Sequence, residues 1–194
     1  MFEKTKKFIP NLLTVLRLPL AILCCYFAYD LDPVSLSISL GLFIVASATD
    51  YFDGYLARRW KFVSTFGKFI DPLADKVLIL GVLVIFTIKG IVPVVLTAII
   101  AFREILLTAL RLLLLSKNIV LASRYSGKIK TFSQVITLVM IYLILIFMTP
   151  LQEIMHISNI KLIILLLIIW IASITVYSGI EFIVSNKKAL KHLV

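Results

Sequence analysis

Residues 50–75 read DYFDGYLARRWKFVSTFGKFIDPLAD. Four of the chain's ten acidic residues lie in this stretch: Asp50, Asp53, Asp71 and Asp75. Each adjoins or sits within an apolar run. A carboxylate at membrane depth is costly unless it is paired, hydrated or bound to a cation. The spacing sharpens the question. Asp50 and Asp53 are three apart and Asp71 and Asp75 four apart, so on helices each pair shares one face. A short connection, Trp60–Phe66 with Lys61 in it, makes the two helices antiparallel neighbours. All four carboxylates can then converge on one point.

The surrounding composition sets the class. Of 194 residues, 61% are hydrophobic and the mean hydropathy is +1.09, well above a soluble domain. Several runs reach the roughly 20 residues a membrane span needs, and the alternating segments of a membrane barrel are missing. The expected fold is an all-α integral membrane protein, a single domain over 1–194. Residues 1–10 are expected to form a short amphipathic surface helix. Spans are expected at about 11–29, 34–59, 71–89, 92–115, 129–148 and 160–184. Asp30, Asp32 and Pro33 mark the first turn, and Gly90 and Pro93 the third. Pro72 is expected in the first turn of its helix. Residues 116–130 form the longest polar connection. A cleaved signal peptide does not fit, because Asn11, Thr14 and Arg17 interrupt the first apolar run.

The formal charge of +10 follows topology. The N-terminus, the connections after spans two and four and the tail hold nearly all the basic residues. The opposite turns hold Asp30, Asp32 and Glu153, with only Lys89 and Lys161 as cations. The positive-inside rule places both termini, and the four aspartates, on the cytoplasmic side. Lipid therefore explains the charge, and no zinc spacing or basic aromatic patch points to nucleic acid. Cys24 and Cys25 are adjacent in an apolar run and read as small hydrophobes, not a disulfide.

Four converging carboxylates repel one another strongly at low dielectric. Two hard divalent cations, Mg²⁺ or Mn²⁺, balance them, and with no His or Cys nearby zinc is disfavoured. Paired metals of this kind clamp a phosphoryl group for displacement. Gly54, Ala57 and Gly67 are small, which suits either close helix packing or ligand access to the backbone. Arg58 can pair with phosphate. Arg59 and Lys61 read as interfacial anchors. Arg103, Glu104 and Arg111 lie in span four, and Arg124, Lys128 and Lys130 lead into span five. Such cations suit a phosphorylated partner, or simply topology plus a Glu104–arginine pair. Arg17 shares a polar helix side with Asn11 and Thr14, and either faces a site or snorkels to the headgroups.

The pattern Asp50-x-x-Asp53-Gly54-x-x-Ala57-Arg58, eight residues, then Gly67-x-x-x-Asp71-x-x-x-Asp75 resembles the signature of the CDP-alcohol phosphatidyltransferases at every fixed position. Members of that family move a phosphatidyl or similar group from a CDP-linked lipid to an alcohol and release CMP. The resemblance implies that Asp50, Asp53, Asp71 and Asp75 hold two divalent cations, that Asp75, with Asp71 beside it, is catalytic, and that Asp75 is the general base on the acceptor hydroxyl. It implies that Asp50, Gly54, Ala57, Arg58 and Gly67, with Asn11 and Thr14, contact the CDP-lipid. Pro10-Asn11-x-x-Thr14-x-x-Arg17, Arg103-Glu104 with Arg111, and Gly127-Lys128-x-Lys130-Thr131-x-x-Gln134 resemble the bacterial branch whose acceptor is sn-glycerol 3-phosphate. Arg17, Arg103, Arg111, Arg124, Lys128 and Lys130 would then bind the acceptor phosphate. The donor would be CDP-diacylglycerol, the setting the bacterial cytoplasmic membrane with the site facing the cytosol, and the assembly a homodimer. Another alcohol such as inositol phosphate is the alternative acceptor. A divalent-cation carrier would instead put its acids at mid-membrane, with inverted repeats; a non-catalytic scaffold would have no need of the intact aspartate set.

Overall fold

The computed structural model describes residues 17–60, 65–117, 125–148 and 157–187; for 50–60, 65–75, 115, 125–128, 148 and 157–159 it describes the backbone alone. The surface helix expected over 1–10 and the tail beyond residue 187 lie outside the described residues. The described chain is helical, with six helices and no strand. The first, α1, covers 17–30. It is followed by α2 (Pro33–Trp60), α3 (Thr65–Ile88), α4 (Val94–Ser116), α5 (Tyr125–Met148) and α6 (Ile157–Ser185). Within the described residues, Ile129–Phe147 and Ile160–Ser185 are long and apolar enough to cross a membrane, and Pro33–Thr49 and Lys76–Ile88 are shorter apolar stretches.

Local chemistry fixes the turns. Leu31 takes a left-handed conformation, φ 60°, a cost of about 1–2 kcal/mol for a residue with a Cβ. Asp32 then caps α2: its Oδ2 accepts from the Ser35 N–H at 2.9 Å and its carbonyl from Leu36 N–H at 2.9 Å. Pro33 sits at the first helical position, where its missing N–H is not needed. At the end of α3, Gly90 has φ +71°. Its N–H bonds Thr87 O at 2.9 Å, and the Ile91 N–H bonds Phe86 O at 2.9 Å. That pair of bonds closes a helix around a left-handed glycine. The chain can then reverse, and Pro93 starts α4 by accepting from Leu96 and Thr97 N–H.

Two boundaries differ from expectation. Helix α3 begins at Thr65 rather than near Asp71, so Pro72 stands at its eighth position and not in its first turn. Inside the helix Pro72 forgoes one backbone bond, and the chain stays helical through it. Helix α5 begins at Tyr125. It takes in Ser126, Gly127 and Lys128, so the polar connection expected over 116–130 shrinks. A helix start tolerates polar residues on its exposed side.

The helices close on one another in the order α2–α5–α6–α4–α3, with α3 returning to α2 and touching α5. Helix α1 packs across this group. Cys25 Sγ lies 2.7 Å from where a Cβ on Gly81 of α3 would stand, so only glycine allows α1 to come so near. Phe43, Phe86 and Tyr142 are fully buried. Tyr142 lies between the other two, at ring-centre distances of 6.0 Å to Phe43 and 5.0 Å to Phe86. Its hydroxyl donates to Ser39 Oγ at 2.7 Å, and Ser39 Oγ–H donates to Cys24 O at 2.7 Å. The Cys24 thiol is 3.4 Å from Ser39 O. Both cysteines are free thiols, and Cys24 faces the core.

Candidate active site

The two aspartate pairs sit on consecutive helices. Asp50 and Asp53 lie in the last three turns of α2, and Asp71 and Asp75 in the first three turns of α3. The helical backbone puts each pair on one face, as expected. The side chains of Asp50, Asp53, Gly54, Ala57, Arg58, Gly67, Asp71, Asp75 and Lys128 lie outside the described residues, as do Asn11, Thr14 and Arg124 altogether. Carboxylates spaced in this way on two joined helices are a donor set that fits hard divalent cations.

One residue beyond Asp75 the side chains come into view, and they form a buried charged cluster. Glu104 of α4 is at its centre, 2% exposed. Its Oε2 accepts from Lys76 Nζ of α3. Its Oε1 accepts from Lys130 Nζ of α5, from Arg103 NH1 at 3.0 Å and from Gln134 Nε2 at 3.3 Å. Gln134 also reaches Thr175 Oγ1 of α6 at 3.5 Å. Arg103 NH2 donates to Ser178 Oγ, again on α6, at 2.6 Å. Helices α3, α4 and α5 thus meet on one carboxylate, and α6 joins them through Arg103 and Gln134. Lys76, Glu104, Thr131 and Gln134, with Ile79 and Leu80, line a small gap beside it.

Two of the sequence-selected cations therefore come together. Arg103 and Lys130 share Glu104 directly. Arg111 lies further along α4, exposed, with its guanidinium carbon 5.6 Å from the Phe182 ring centre of α6. Arg17 is 1% exposed, which rules out the snorkelling alternative: its side chain is inside the bundle. Glu104 pairs with an arginine, as the sequence suggested, but with two lysines besides.

Lys76, Ser178 and Gly179 were not selected from the sequence. Lys76 directly follows Asp75, and a lysine at the point where α3 turns into an apolar run was a usable signal. Ser178-Gly179 is a small polar pair in an apolar helix, a pattern that marks close helix approach. A Cβ on Gly179 would stand 3.1 Å from Arg103 Nε and 3.3 Å from its Cγ. Glycine here makes room for the arginine stem.

A family model described as CDP-alcohol phosphatidyltransferase matches residues 7–177. Several relatives carry the name CDP-diacylglycerol–glycerol-3-phosphate 3-phosphatidyltransferase. The Bacillus subtilis protein is 38% identical over 152 residues, covering 77% of this chain and 74% of the relative. The Mycoplasma genitalium protein is 36% identical over 155 residues, covering 71% and 66%. The Rickettsia felis protein is 38% identical over 189 residues, covering 94% and 97%.

Proposed function

The chain belongs to the CDP-alcohol phosphatidyltransferase family, and on that premise we propose that it transfers a phosphatidyl group from CDP-diacylglycerol to sn-glycerol 3-phosphate, giving phosphatidylglycerol phosphate and CMP. The observation that carries this reading is the juxtaposition along α3: Asp71 and Asp75 are followed at once by Lys76, which enters a cluster with Arg103 and Lys130. Carboxylates for cations and a base thus adjoin cations for an anionic acceptor. The names of the relatives support the same substrates.

In this reading Asp50, Asp53, Asp71 and Asp75 hold two divalent cations, Mg²⁺ or Mn²⁺. When bound, these supply charge neutralisation of the diphosphate and so ease the departure of CMP. Asp75 takes the proton from the attacking hydroxyl of the acceptor. Arg58, with Gly54, Ala57, Gly67, Asn11 and Thr14, holds the CDP-lipid. Arg17, Arg103, Arg111, Arg124, Lys128 and Lys130 supply positive charge for the acceptor phosphate. In this reading six spans with both termini in the cytosol put the site at the inner face of a bacterial membrane, where the soluble acceptor is at hand. A homodimer completes the proposal.

The test is purified protein with CDP-diacylglycerol, Mg²⁺ or Mn²⁺, and a panel of acceptors, read as CMP release. Release that requires the divalent cation and is fastest with sn-glycerol 3-phosphate is expected. Faster release with inositol phosphate would reassign the acceptor, and no release with any acceptor would sink the reading.

A further inference from the structure

We propose that Glu104 is a positioning residue for the acceptor: its carboxylate holds Lys76, Arg103 and Lys130 in a fixed array that receives the acceptor's phosphate. This deepens the function proposed above and rests on it. Three cations on three helices converge on one carboxylate. A purely structural ion pair needs one cation. Here two positive charges in the cluster are left over once Glu104 has neutralised one, and a phosphate monoester is a dianion.

Arg103 shows how tightly the array is set. Its NH1 is held by Glu104 and its NH2 by Ser178. Its stem lies over Gly179, where a Cβ would stand only 3.1 Å from Nε. Its Nε is buried and has no hydrogen-bond partner among the described residues. Gln134 bridges the same carboxylate to Thr175, so α5 and α6 also register on Glu104. Without the carboxylate, like charges at this range repel and the long side chains splay apart. Cations that must be gathered again at each binding event bind the phosphate less well.

The test varies sn-glycerol 3-phosphate at saturating CDP-diacylglycerol, and then the reverse, with the purified full-length protein in micelles. Glu104→Gln keeps shape and removes charge. Its acceptor KM is expected to rise on the order of tenfold to a hundredfold, while kcat and the donor KM stay within about threefold, the signature of lost ground-state binding. Glu104→Asp should recover part of the loss. Ser178→Ala removes the acceptor for Arg103 NH2, along with a bond to Thr175 O within α6, and should raise the same KM by less, with a nearly unchanged unfolding temperature. Both KM values rising together, or kcat falling alone, would mean a merely structural role and overturn the proposal. If Glu104→Gln does not fold, Ser178→Ala decides alone: an unchanged acceptor KM overturns it. A wild-type protein that releases no CMP with any phosphorylated acceptor is a different failure, that of the function itself, and is seen before any variant is compared.

Discussion

Among the described residues, two buried polar clusters are built on opposite principles. One is neutral: Cys24, Ser39 and Tyr142 link α1, α2 and α5 through hydroxyls and a thiol, under the rings of Phe43 and Phe86. Every group in it has a partner, its charge is zero, and it lies among apolar side chains. The other is charged and unbalanced: one carboxylate against Lys76, Arg103 and Lys130, beginning one residue from Asp75. A neutral network mainly holds helices together, because its bonds are satisfied without any ligand. An ionic cluster with excess charge is a poor way to gain stability alone. The second cluster is therefore the one that the proposed function gives an anion to bind.

Substitutions can break or sharpen that contrast. The largest effect belongs next to the charged cluster. Asp71→Asn and Asp75→Asn should each cost about 10²–10⁴-fold in CMP release, with expression and unfolding temperature unchanged; activity surviving in both would remove the aspartates from the site. Glu104→Ala strands three cations and should lower stability by about 3–5 kcal/mol, measured by denaturant unfolding in micelles. Tyr142→Phe, in the neutral cluster, should cost only about 1–3 kcal/mol and leave CMP release intact. If the tyrosine variant were the inactive one, the two clusters would have the wrong roles.

Smaller effects follow away from both. Gly81→Ala places a methyl 2.7 Å from Cys25 Sγ, and overpacking of this kind costs about 1–3 kcal/mol. Unfolding of the Gly81→Ala, Cys25→Ala pair should restore much of the loss. The smallest effect is at Asp32. The Ser35 N–H at its carboxylate holds Asp32 below the usual carboxylate range. A lowered folded-state value means the cap is fully present at neutral pH and is lost as acid protonates it. Asp32→Ala should therefore lower the unfolding temperature slightly at neutral pH and converge on the parent protein in acid.

Much of the fold was legible because its signals are local. Apolar runs mark the helices, and Asp32-Pro33 and Gly90 mark their ends. Pro72 misled because a proline normally reads as a helix start, whereas apolar surroundings keep a backbone helical through it. Lys76 and Ser178-Gly179 were less legible, since each is significant only beside Glu104 and Arg103, which are distant in sequence.

Residues 50–75 by themselves carried the resemblance to the family and, with it, the expected reaction class, because carboxylates that are to share a face must recur at helical spacing. Only the tertiary structure decided which cations matter to one another. Lys76, Arg103 and Lys130 carry the same charge as the chain's other basic residues. What distinguishes them is burial around one carboxylate, where low dielectric strengthens every charge interaction, and sequence spacing carries no record of that meeting of four helices.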